Sequence, residues 1–196
     1  MQPQTNYVIG IDFGSDSVRG LVVDTDNGAT LASAVVDYPR WKQGLYCNPK
    51  ENRYRQHPLD YIESFERCIR EILSHCDRQV IDRIRGLSFD TTASTPVLTD
   101  HTGTPLALLP EFAEQPDAMF ILWKDHTALA EADEINALAK RWKIDYTRYS
   151  GGSYSCEWVW AKMLHALRHT SELRTKACSW VEHCDWMAGL LAGDTR

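Results

Sequence analysis

The stretch Gly10-Ile-Asp12-Phe-Gly14-Ser15-Asp16-Ser17-Val-Arg19 decides how this chain is read. Residues 7–12 form a short apolar run closed by a carboxylate, the pattern of a buried strand. Residues 13–16 supply a tight Gly/Ser turn, and residues 18–24 read as a second strand. Gly14 lets backbone approach a ligand closely. Amides of such a turn, with the Ser15 and Ser17 hydroxyls, can cradle phosphate oxygens. Asp12 could then hold a hydrated Mg²⁺, an ion that keeps several waters and takes few carboxylates. The stretch is not a P-loop, because no Gly-x4-Gly-Lys-Ser/Thr occurs. Nor is it a dinucleotide fingerprint, which needs a helix after the glycines where this chain has strand character. The plainer alternative is a hairpin turn with a solvated aspartate.

Outward from that stretch, Asn27-Gly28 is a strong hairpin signal, and residues 30–36 complete an antiparallel meander of three strands. Residues 39–57 show no period and are expected to be a long ordered loop. Residues 58–76 repeat apolar positions at helical spacing behind Pro58, with Asp60 favourable in the first turn. Strands are expected at 84–89 and 95–99, then a turn at 100–103 and a return at 106–109. An apolar run at 118–123 stops at Lys124-Asp125-His126. Helical stretches are expected near 127–141, 156–168 and 180–192, with a flexible turn at Ser150-Gly151-Gly152-Ser153. Strands first, then helix, strand and helix in alternation, fit a mixed sheet covered by helices.

The 196 residues carry 27 acids against 21 bases, a formal net charge of −6. Proteins that bind nucleic acid through its phosphates carry a basic patch, and none stands out here, so nucleic acid is a disfavoured partner. No apolar run reaches the roughly 18 residues a membrane span needs, and the start of the chain lacks the pattern of a secretory signal. A cytoplasmic protein with no membrane partner is expected. Six cysteines occur without a Cys-x-x-Cys pair. Cys178, His183 and Cys184 cluster loosely, and His165 and His169 have the i, i+4 spacing that can bind zinc when a third ligand and a catalytic Glu accompany it. Position 166 is Ala, so buried thiols and surface histidines are the better reading.

Residues 9–24 resemble the first phosphate motif of the actin-like ATPase fold, and more narrowly the start of the FGGY carbohydrate kinases. Two further segments carry the resemblance. Ile121-Leu-Trp123-Lys-Asp125-His-Thr127-Ala is similar to the family's Trp-x-Asp segment lining the sugar pocket, and Gly86-Leu-Ser-Phe-Asp90-Thr-Thr-Ala93-Ser-Thr95 lies where the family has its strand-to-pocket loop. That loop, Tyr46-Cys-Asn-Pro and Tyr149-Ser-Gly151-Gly152 look like the branch of the family that takes L-ribulose. The resemblance covers essentially all 196 residues.

The resemblance implies an α/β chain of actin-like ATPase (ribonuclease H-like) fold, with a mixed sheet flanked by helices. The whole chain would be an incomplete N-terminal domain. It implies ATP and Mg²⁺ as cofactors and a small-molecule sugar, L-ribulose or a related ketopentose, as partner. The implied reaction is phosphoryl transfer to O5 in L-arabinose catabolism, and a homodimer is compatible with it. Asp12 would be the magnesium-side carboxylate, acting through water. Gly14, Ser15, Ser17 and Arg19 would belong to the phosphate turn. Ala93 would contact the sugar, Trp123 would form an apolar wall, and Asp125 sits in the pocket motif. The catalytic base and the adenosine site are expected beyond Arg196, so the isolated chain is expected to be inactive. The family often has Arg at the position of His126, which receives no role.

Plainer readings stand beside these. Trp123 at the end of an apolar run could be core. Asp90 and Asp125 could cap or end elements, and Arg19 could be a surface ion pair. Trp142, Trp158, Trp160, Trp180 and Trp186 fall in helical stretches and read as packing. Two other functions compete with the kinase. One is a metal-dependent nuclease of ribonuclease H-like fold using Asp12 and Asp90, and the other is an inert binding or interaction module.

Overall fold

The computed structural model describes residues 5–195. In chain order the strands are β1 (Tyr7–Phe13), β2 (Ser17–Asp24), β3 (Thr30–Asp37), β4 (Cys47–Asn48), β5 (Arg53–Gln56), β6 (Ile84–Thr91), β7 (Pro96–Thr99), β8 (Phe120–Ile121) and β9 (Ser179–Glu182). The helices are α1 (Pro39–Lys42), α2 (Pro58–Ser74), α3 (Arg78–Ile81), α4 (Leu129–Ala139), α5 (Val159–His169) and α6 (His183–Ala192). The chain divides into two compact units. Of the described residues, the first holds 5–45 together with Leu59–Thr92, and the second holds Tyr46–Pro58 together with 93–195.

The first unit is built on a four-stranded sheet in the order β3-β2-β1-β6. β1 pairs antiparallel with β2, β2 antiparallel with β3, and β1 parallel with β6. This is the expected meander with one parallel strand added, a mixed sheet. Side chains alternate across it as a period of two requires. Ile9, Ile11, Phe13, Val18, Val22, Ala34 and Val36 are buried with Tyr61, Cys68 and Ile72 of α2. Gly20 belongs to this buried set because nothing larger fits. A Cβ there would lie 2.7 Å from the Cys68 sulfur and 3.1 Å from Ile11 Cδ1. Asp60, fully buried, accepts hydrogen bonds from the backbone N–H groups of Arg40 and Trp41 and from the Arg40 guanidinium, so α2 also fixes the first turn of α1.

The second unit holds two small sheets, β4-β5-β8 and β7-β9. Their strands are short, and helices α4, α5 and α6 supply much of the remaining structure. One apolar cluster joins Leu98, Leu106, Ala107, Phe112, Met119, Ile121, Met163, Ala166 and Leu173. Among the described residues no helix is long and apolar enough to cross a membrane.

Four expectations change. Residues 39–57 are not one loop, since they carry α1 and the paired strands β4 and β5. Leu106–Leu108 is a 3-10 turn, and only an isolated bridge between Thr99 and Pro105 returns toward β7. The start of the last helical stretch is strand β9, paired antiparallel with β7, and α6 begins only at His183. Of the tryptophans read as packing, Trp186 is buried, but Trp142 and Trp160 are exposed. Trp160 instead meets Trp180 edge to face at 5.5 Å, and Trp180 is on a strand rather than a helix.

Candidate functional site

The expected phosphate turn lies between β1 and β2. It is closed by the Gly14 N–H donating to the Ser17 carbonyl at 3.0 Å. Asp12 and Arg19 are register partners across the two strands and lie on the face turned away from α2. The Arg19 guanidinium donates to Asp12 Oδ2 at 2.7 Å, which raises the guanidinium pKa further above its ordinary value, and it lies 3.7 Å from Asp16. A Cβ on Gly14 would stand 3.1 Å from Arg19 Nη1 and 3.2 Å from the Ser17 carbonyl oxygen. Glycine is therefore what allows Arg19 to lie across the turn. The Ser17 hydroxyl is buried and donates to Asp16 at 3.0 Å, so it braces the turn from within. Asp12 is exposed, and Arg19 holds one of its two oxygens, Oδ2. An exposed carboxylate beside a glycine turn fits a magnesium held largely through water. Asp90 faces Asp12 in the β1–β6 register, but its Oδ1 accepts from the N–H of Thr91.

In the second unit, Ala93 and Trp123 are both exposed, Trp123 at 41%. The core alternative for Trp123 therefore does not apply. The segments that carry these two residues are tied together from below by Lys162 of α5, which sequence reasoning missed. Its buried ammonium donates to the carbonyls of Ser94 at 2.7 Å, Leu122 at 3.0 Å and Ile121 at 3.4 Å. Burial pushes the Lys162 pKa down to about 8. Glu182 at the end of β9 completes the brace, accepting from the Thr95 N–H at 2.7 Å and from the Ser94 hydroxyl at 3.5 Å. Burial raises the Glu182 pKa, partly offset by those bonds. The one available signal was a lysine flanked by Ala161 and Met163 on the apolar side of an amphipathic helix.

Asp125 is fully buried and ion-paired to Arg55, itself fully buried on β5. Its Oδ2 also accepts from the Tyr54 N–H at 2.6 Å, and its Oδ1 accepts from the Thr127 N–H at 3.0 Å and the Thr127 hydroxyl at 2.6 Å. Arg55 reaches Asp117 as well, at 3.1 Å. Asp125 thus anchors the loop after Trp123 to β5. Lys124 lies over the ring of Tyr54 at 4.6 Å, and His126 pairs with Glu157 at 2.7 Å. Tyr46, in the Tyr-Cys-Asn-Pro segment, donates its hydroxyl to Glu114 at 2.9 Å.

No family model matches the chain. Its sequence is 50% identical over 187 residues to a ribulokinase of Vibrio parahaemolyticus, a match covering 95% of this chain and 33% of that protein. A xylulose kinase from Brucella ovis superposes with a TM-score of 0.71 at 16% identity, over 94% of this chain and 34% of the other. A glycerol kinase from Plasmodium falciparum superposes with a TM-score of 0.67 at 14% identity, over 97% and 35%. The fold is that of the actin-like ATPases in their sugar-kinase form, and the chain belongs with the FGGY-type carbohydrate kinases. Within that family its sequence is like the N-terminal portion of ribulokinase. It spans about a third of the length of the curated relatives it matches. The nuclease and stand-alone-module alternatives gain no support.

Proposed function

We propose that the chain is the N-terminal part of an ATP- and Mg²⁺-dependent kinase that phosphorylates L-ribulose at O5, giving L-ribulose 5-phosphate in L-arabinose catabolism. The observation that carries this reading is the 50% identity to a ribulokinase across 95% of the chain. When bound, Mg²⁺ and ATP supply the transferable phosphoryl group and neutralise its developing charge.

The chain's own residues then have the following roles. Asp12 would hold a hydrated magnesium through its carboxylate. Gly14, Ser15 and Ser17 form the phosphate turn. Arg19 holds Asp12 in place and adds positive charge beside it. Ala93 and Trp123 contact the sugar, Trp123 offering an apolar face to its carbons. Lys162 and Glu182 are positioning residues, since they act through the backbone of Ser94, Thr95 and Leu122. Asp125 acts by fixing the Trp123 segment onto β5 and need not touch sugar. The resemblance puts the general base outside these 196 residues. A cytoplasmic location, a dimer and a partial domain belong to this same reading.

The test is sugar-dependent ADP release by a protein of the relatives' full length that contains this chain, with L-ribulose compared against D-xylulose. Turnover preferring L-ribulose is expected. Absence of both turnover and calorimetric L-ribulose binding in that protein overturns the reading.

A further inference from the structure

The i, i+4 histidine pair on α5 gains in three dimensions what the linear sequence lacked. His165 and His169 sit one turn apart with their rings 4.1 Å from centre to centre. Facing them is Glu131, from the first turn of the neighbouring helix α4. His165 Nδ1 lies 3.2 Å from Glu131 Oε2, and His169 Nε2 lies 3.9 Å from Glu131 Oε1. One ligand atom from each residue falls within 4.8 Å of the other two, and this is the one such trio among the described residues.

We propose that Glu131, His165 and His169 form a binding site for a divalent transition metal of the zinc class, bridging α4 and α5. Two imidazole nitrogens and one carboxylate oxygen are a recurrent zinc donor set, with a fourth position left for water. Zn–N and Zn–O bonds near 2.0–2.2 Å in a tetrahedron put ligand atoms about 3.4 Å apart. The two histidine–carboxylate separations, 3.2 and 3.9 Å, lie on either side of that value, and no two of the three ligand atoms are more than 4.8 Å apart, so the site can close by side-chain adjustment.

The three ligands run from buried to exposed. The Glu131 side chain is 5% exposed, His165 15% and His169 61%. Holding a buried carboxylate is costly unless positive charge meets it. Arg168, the basic residue between the two histidines, is bonded to Glu134 at 2.6 and 3.2 Å. Glu131 has His165 at 3.2 Å and His169 at 3.9 Å beside it, and a dication held by the same three groups would add positive charge there. Beside the histidines is a polar cavity of about 320 Å³ lined also by Glu51, Arg53, Asp117 and Thr127, with room for a water in the open position. The ordinary alternative is a helix-to-helix hydrogen-bond network that binds nothing.

Calorimetric titration of the chelator-treated chain with zinc chloride separates the two. One zinc per chain is expected. His169→Ala removes the most exposed ligand without disturbing the core and should weaken binding by at least about 10- to 100-fold, with an unchanged far-ultraviolet circular dichroism spectrum. Cobalt(II) used in place of zinc should give visible absorption that the same variant abolishes. The exposed thiols are the competing zinc ligands. A Cys178→Ser, Cys184→Ser variant should therefore keep the affinity within about twofold. The proposal is overturned if the unaltered chain binds no zinc, if His169→Ala binds it as tightly, or if the loss follows the cysteines instead. The result is independent of the kinase reading, because no sugar or nucleotide enters the measurement.

Discussion

The ammonium of Lys162 lies 2.7 Å from the carbonyl oxygen of Ser94, and the same group reaches the Leu122 carbonyl at 3.0 Å. One buried cation therefore sets the spacing between the segment bearing Ala93 and the segment bearing Trp123. Lys162→Met keeps the bulk and leaves three carbonyls without their donor. A loss of about 2 kcal/mol is expected in urea unfolding at pH 7. In a full-length kinase the variant should raise the KM for sugar more than it lowers kcat.

Lys162 also gives stability a pH dependence of defined sign. Its folded pKa of about 8 lies below the ordinary value of 10.5. Between those values the unfolded chain binds more protons than the folded one. Stability should therefore gain a rising contribution as pH climbs through that window, at most about 1.4 kcal/mol per unit. Unfolding midpoints between pH 8 and 10.5 in the parent and in Lys162→Met read the effect. Identical slopes in the two proteins would show that Lys162 does not titrate this way.

Arg55 and Asp125 form a buried pair, and each is the other's compensation. Arg55→Met leaves the buried Asp125 carboxylate without its ion-pair partner and should cost about 3–5 kcal/mol, whereas Asp125→Asn leaves Arg55 its pairing with Asp117 and should cost less. The double variant should cost clearly less than the sum of the singles. A double-mutant cycle by urea unfolding checks this, and additive losses would contradict it.

Gly20→Ala should destabilise the first unit by about 1–3 kcal/mol, because the new methyl meets the Cys68 sulfur. Adding Cys68→Ala should recover part of that loss. A thermal melt of the variants decides it; no recovery would mean that Ile11 Cδ1, at 3.1 Å, and not the thiol, resists the methyl.

Asp12→Ala should split stability from activity. The Asp12–Arg19 pair is solvent-exposed, so its removal should cost no more than about 1 kcal/mol. In a full-length kinase the same change should lower Mg²⁺-dependent turnover by about a hundredfold or more. A turnover number within a factor of two of the parent would remove Asp12 from the proposed phosphate site.

Much of the first unit was legible in the sequence because its signals are local. The apolar run at 7–12, the Asn27-Gly28 turn and the 3.6 repeat of α2 each rest on residues close together in the sequence. β5 was not legible. Arg-Tyr-Arg-Gln has no apolar alternation, and it becomes a buried strand only because Asp125 and Asp117 arrive from 70 and 62 residues away to meet Arg55. β9 was hidden for a similar reason, since Ser-Trp-Val-Glu is a strand only when β7 is there to pair with it. The motif residues Asp12, Trp123 and Asp125 were found, and Arg19 beside Asp12 with them, but the partners from farther along the chain were not. Lys162 carries no motif, and Glu131 stands 34 residues from His165. The Asp125 carboxylate, conspicuous in the sequence, is spent on protein groups.

The contact between Gly20 and Cys68 has a practical consequence. The Cys68 thiol is sealed under β2, and burial raises its pKa to about 11, so it forms thiolate reluctantly as well as being out of reach. Alkylating reagents should label Cys178 and Cys184 at once and Cys68 only when α2 lifts from the sheet. The slow labelling phase is thus a built-in clock for the opening of the first unit, read by mass spectrometry without adding any probe to the chain.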